Sequence, residues 1–163
     1  MHCKIGRRGA SSEVDLMNRL CGQTVTLYNH VGEVDRKATY LATVLRRVYF
    51  ESVRGKSRRT SGDAANDSML LCIFDDTVIA ESPAGQAKTY LPYRQWIPLT
   101  PGEKAAFWTL SPDDWIAEGS VDYAIPDGTI SELEKQHPCC RIKSIDRFAQ
   151  GNRRIWHWEV FGA

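Results

Sequence analysis

From Gln23 to Phe161 the chain is a succession of short runs of β-branched and aromatic residues, interrupted by Gly, Pro, Asn and Asp. That punctuation limits the fold more than any single motif does. Gln23–Asn29 sets Val25 and Leu27 against Thr24, Thr26 and Tyr28, the two-residue period of a half-buried strand. His30–Lys37 reads as a polar turn and Ala38–Phe50 as a long second strand. Arg46 and Arg47 interrupt both of its faces, which predicts a bulge or bend where the strand changes partners. Met69–Phe74 reads as a buried strand closed by a turn at Asp75-Asp76, and Tyr90–Trp96, with Pro92 inside it, as an edge strand or a strand end. Trp108–Leu110 and Trp115–Ala117 are short strand candidates on either side of a Ser111–Asp114 turn. Arg141–Ala149 and Arg153–Phe161 form a hairpin through Gln150-Gly151-Asn152. Trp156, Trp158 and Val160 share one face of the last strand, so Trp156 and Trp158 are the expected core anchors. His157 and Glu159 fall on the other face, read as the solvent side of an edge strand.

A helix signature is confined to Thr129–His137, where Thr129 and Glu132 have capping-box spacing and Pro138 ends the segment. Strands and helices do not alternate, so a parallel sheet is not expected. The predicted fold is all-β: a small barrel or sandwich of about seven to eight mainly antiparallel strands, with one short helix near 129–137. A single core over residues 17–163 suits the length. Residues 1–16 are rich in Gly, Ser and Arg and read as a flexible arm, or as an extension from a start upstream of Met17. Five irregularly spaced cysteines read as reduced thiols of a cytosolic product. No apolar run approaches the ~18 residues of a membrane span, so no membrane partner is expected.

Net charge is +1, so any basic surface must be local. One stretch supplies it. Glu51–Ser68 (ESVRGKSRRTSGDAANDS) is polar, with almost nothing apolar in it, and holds Arg54, Lys56, Arg58 and Arg59. It reads as a long mobile loop, the kind of segment that carries function when it interrupts a compact domain. Arg46, Arg47, Arg54, Lys56, Arg58 and Arg59 face only Glu51 as a counter-charge within 46–59. Such a cluster neutralises phosphates without reading sequence, so one functional reading is a monomeric nucleic-acid-binding β-barrel using this segment.

Catalytic chemistry finds no comparable signal. His137-Pro138-Cys139-Cys140 joins residue types that bind zinc, but adjacent cysteines on a strand project to opposite faces. The pair reads as structural. His157-x-Glu159 is half of a zinc-deaminase signature without the following C-x-x-C. Asp75-Asp76 and Asp113-Asp114 sit in turn contexts, where aspartate is ordinary. No catalytic residue, metal or cofactor is assigned.

Several pieces together resemble the small minor capsid or head–tail connector proteins, including stopper-type neck proteins, of tailed phages and prophages of Gram-positive hosts. They are Thr24–Asn29, Tyr40–Phe50, Leu110–Ile116 with Gly119, the helix Ile130–Lys135, and the closing His157-Trp158-Glu159-Val160. The resemblance runs from about Leu20 to Gly162 and leaves residues 1–16 outside. It implies a structural virion protein rather than an enzyme: a small β-barrel that assembles as a homo-oligomeric ring and docks to portal or adaptor and tail proteins. Stopper-type members project a loop toward the DNA channel, and Glu51–Ser68 occupies a matching place, with possible non-specific DNA contact through Arg54, Lys56, Arg58 and Arg59. Localisation in the virion, and in the host cytoplasm before assembly, follows from the same resemblance.

Overall fold

The computed structural model describes residues 19–54, 56–59, 62–65, 67–123 and 129–163, with the backbone alone for 56–59 and 62–65. The expectations for residues 1–16 lie outside the described residues.

The fold is all-β and antiparallel in its main sheet. Strands β1 (Gln23–Val34) and β2 (Lys37–Val53) form a long hairpin. The polar stretch His30–Lys37 is mostly strand, not turn. Only Asp35 and Arg36 turn the chain, both with positive φ (53° and 65°), the backbone that a two-residue hairpin loop requires. At the Arg46–Arg47 break the register slips, pairing Gln23 with Val48 and Thr24 with Arg46, and Arg47 stands alone at φ 59°. Past that bulge Tyr49–Val53 pairs with β5 (Ser68–Phe74), so the strand does change partners there.

Pairing continues from β5 to β11 (His157–Gly162), from β11 to β10 (Cys139–Phe148), from β10 to β9 (Trp115–Glu118), and from β9 back to β1. Together with β1–β2 the ladder returns to its start: six antiparallel strands close a barrel. Strand β6 (Ile79–Glu81) adds to β2 beside the bulge. Closure leaves β11 between two neighbours, so His157 and Glu159 are on an interior strand of the sheet and not on an edge.

Alternation fills the interior with Val25, Leu27, Leu45, Val48, Leu71, Ile73, Ile116, Ile142 and Val160, all buried. Tyr90–Trp96, expected as an edge strand or a strand end, is a strand end: pairing stops at Tyr90, before Pro92, and helix follows. Thr89–Tyr90 (β7) pairs in parallel with Phe107–Trp108 (β8), and between them lie two single-turn helices, α1 (Tyr93–Trp96) and α2 (Pro101–Lys104). Pro92 precedes α1, where its missing N–H costs nothing. Trp108 and Leu110 join the main core, and Trp96 is also buried. The expected anchors are less deep. Trp158 is half-buried against the core, while Trp156 lies outside β11, next to the 3-10 turn Arg153–Ile155. The tryptophans below 5 % exposure are Trp96 (1 %) and Trp108 (3 %).

Helix α3 (Ile130–Gln136) matches the predicted helix, but the Thr129 side chain makes no cap bond. The capping box forms instead at Thr100 and Glu103 of α2. Leu133 of α3 packs with Tyr28, Ala117 and Val121 in a second cluster on the outside of β1 and β9. There the Thr26 hydroxyl donates to the Gly119 carbonyl (2.8 Å) and accepts from Val121 N–H (2.9 Å), which holds the chain after β9 to the barrel wall.

Candidate functional site at the barrel mouth

Antiparallel order brings six strand ends to one rim: the starts of β1, β5 and β10 and the ends of β2, β9 and β11. A cavity of about 480 Å³ opens there. Its floor is built from the inward residues Phe50, Ile116 and Cys140, and its rim from Arg54, Asp67, Glu118, Glu134, Lys135 and His137. Four stretches far apart in sequence supply these groups. Helix α3 delivers Glu134 and Lys135, and Pro138 then turns the chain into β10.

The polar segment Glu51–Ser68 leaves the barrel at this rim, and its structure departs from the unstructured loop expected. Glu51–Val53 completes β2, Ser68 begins β5, and between them Lys56–Arg59 (β3) pairs antiparallel with Gly62–Ala65 (β4). The described residues of β3 and β4 pair as the two strands of a β-hairpin. Alternating apolar residues normally announce a strand; this one has none, and backbone pairing alone defines it.

Arg54 stands exposed at the hairpin base, lining the cavity opposite Cys140. Lys56, Arg58 and Arg59 lie along β3. Arg46 and Arg47 belong elsewhere, at the bulge, roughly 25 Å of strand from Arg54. Arg46 is also partly neutralised, its Nε 2.7 Å from Glu81 Oε1. The six cations therefore divide into a bulge pair and a hairpin group.

Burial disfavours the thiolate form of both cysteines at the mouth. Burial pushes Cys139 up to about 12, with Glu134 and Cys140 adding to the shift. Cys140 is raised as well, first by burial and then by Asp67, against a lowering influence from Arg54. Both remain protonated at neutral pH, and a protonated thiol is a poor nucleophile. The two project to different clusters, Cys139 outward toward Leu133 and Cys140 into the barrel, as adjacent strand residues must. Among the described residues no three His, Cys, Asp or Glu side chains are grouped to hold a metal ion, and none of the helices is long and apolar enough to cross a membrane. The mouth offers mixed charge around an apolar floor, a surface suited to docking.

The sequence matches a family of unknown function, DUF6751, over residues 20–163. The chain belongs to that family. No curated protein and no solved structure matches it. The DUF6751 match takes in every barrel strand, both core clusters and the mouth with its hairpin. Rim residues such as Glu118 and Glu134 carried no signal of their own in the sequence, because only barrel closure brings them to Arg54.

Proposed function

We propose that this DUF6751 protein is a structural component of a phage virion, a head–tail connector or neck protein of stopper or minor capsid type. It acts by assembling into a homo-oligomeric ring and docking to portal or adaptor and tail proteins. The observation that supports this most is the basic hairpin leaving the mouth of a closed barrel: Arg54 at its base and Lys56, Arg58 and Arg59 on its first strand. A closed barrel is a rigid block with few free edges, and a ring needs such a block with unlike patches meeting between neighbours. The hairpin is then the part that faces the channel and its DNA. No catalytic residue and no cofactor enter this reading. The protein resides in the virion, and in the bacterial cytoplasm before assembly.

The test is co-purification with the portal protein encoded in the same genome, with a parallel salt titration of DNA binding by the isolated chain. The connector reading expects a stable complex with the portal, and DNA affinity of the free chain too weak to saturate at physiological salt. Tight binding by the monomer with a steep salt slope, lost on neutralising Arg54, Lys56, Arg58 and Arg59, together with no portal complex, supports the nucleic-acid-binding barrel instead.

A further inference from the structure

The outward face of β11 and its neighbours presents three rungs. The register sets Phe148, His157 and Phe74 in one, Asp146, Glu159, Cys72 and Tyr49 in the next, and Ser144, Phe161, Leu70 and Glu51 in the third. His157 is stacked between Phe74 and Phe148, with ring centroids 4.8 and 5.0 Å away. Phe148 is 47 % exposed and Phe161 39 %. Aromatic surface thus flanks a middle rung in which two carboxylates stand directly opposite each other, an arrangement that repels. Glu159 Oε1 lies 3.3 Å from His157 Nε2, and Asp146 makes no ion pair among the described residues.

Opposite charge lies beside this face, at the turn that leads into β11. Just before β11, the turn Arg153–Ile155 leaves both arginines exposed, with Ile155 56 % exposed beside them. Neither arginine pairs with a carboxylate among the described residues. The Ile155 carbonyl is 2.7 Å from His157 Nδ1, which ties this turn to the aromatic rung. Ile155 and Glu159 are separated by about 13 Å of chain.

We propose that this face binds a second copy of the chain about a two-fold axis, the Arg153–Ile155 turn of each copy meeting the Asp146–Glu159 rung and Phe161 of the other. A two-fold contact requires both halves of the match on one patch. Here the basic, apolar turn and the acidic, aromatic rung share one. Each guanidinium gains carboxylate partners and ring faces together, and the repulsion between Asp146 and Glu159 is relieved. The proposal concerns the free chain and does not rest on the connector reading; it stands even if no portal is bound.

Sedimentation equilibrium of the full chain, from about 10 μM to about 1 mM at low and high salt, tests it. A monomer–dimer equilibrium weakened by salt is expected. The double variants Asp146→Lys/Glu159→Lys and Arg153→Glu/Arg154→Glu should each lose the dimer at least tenfold. An equimolar mixture of the two should regain it, since both halves of a mixed contact are then attractive. Phe161→Gln weakens the dimer without changing charge, and Glu33→Lys, away from the face, leaves it unchanged. A wild type that stays monomeric throughout overturns the proposal, as do double variants that associate like wild type or a mixture that fails to regain the dimer. A monomer that instead uses this face to bind a portal or tail protein, with loss in Asp146→Lys/Glu159→Lys, gives the face to that partner and also overturns the dimer.

Discussion

Asp114 is 1 % exposed and accepts from His30 N–H and Ser111 N–H, both at 2.8 Å, and from Asn29 Nδ2 at 2.9 Å. These bonds tie the Ser111–Asp114 turn to β1, and Asn29 extends the tie through a bond to the Thr109 carbonyl (2.8 Å). Burial nevertheless dominates its titration and pushes the carboxyl up to about 7, with the three bonds opposing the shift. The folded chain therefore holds this proton more tightly than the unfolded chain does. The resulting stability is fully present below the ordinary carboxyl range and is lost as pH rises from there through about 7. Asp114→Asn puts an amide N–H₂ against backbone donors and should cost about 2 kcal/mol at pH 5. In urea unfolding at pH 5 and pH 8, that cost should shrink at the higher pH. A cost that grows with pH would show that the ionised form is the one the network needs. The sequence marked Asp114 only as a turn residue, because its partners Asn29 and His30 are about 84 positions away and nothing local announces them.

At the scale of elements, the break at Arg46–Arg47 was legible because two charges interrupt an alternating strand. The structure turns it into a register slip with Arg47 at φ 59°. Left-handed backbone disfavours a β-branched side chain, so Arg47→Val should destabilise by about 1–2 kcal/mol while Arg47→Gly stays within about 1 kcal/mol. Denaturant midpoints of the two variants check this, and equal costs would mean that the bulge relaxes into regular strand. The β3–β4 hairpin was not legible as structure, since a strand without alternating apolar residues leaves no periodic trace in the sequence. His30–Lys37 was misjudged for a related reason: most of its residues are polar, yet a long hairpin continues through backbone pairing down to Asp35-Arg36. The last strand shows a third limit. Trp158 does reach the core, but the turn Arg153–Ile155 removes Trp156 from the strand, and β7, β8 and the helices between them supply the deeper tryptophans.

The main sheet of the described residues is one closed barrel whose rim releases a hairpin with a basic first strand. All-β class, antiparallel pairing and the position of α3 were readable from punctuation and the capping spacing. Closure was not, because it depends on β9 meeting both β1 and β10, contacts between segments remote in sequence. Closure between β2 and β5 rests on Tyr49–Val53 against Ser68–Cys72, so the barrel is expected to fold without the hairpin beyond it. Replacing residues 55–66 with a short Gly-Asn turn should leave the melting temperature within a few degrees, as measured by circular dichroism. A collapse of the fold would place the hairpin among the elements that hold the barrel. The proposal that this barrel is a ring-forming neck component is tested by electron microscopy of the chain mixed with the portal protein encoded in the same genome. A closed ring of copies capping one end of the portal is expected, with the basic hairpins turned to the central channel. Portal particles that remain bare in the presence of excess folded chain would contradict it.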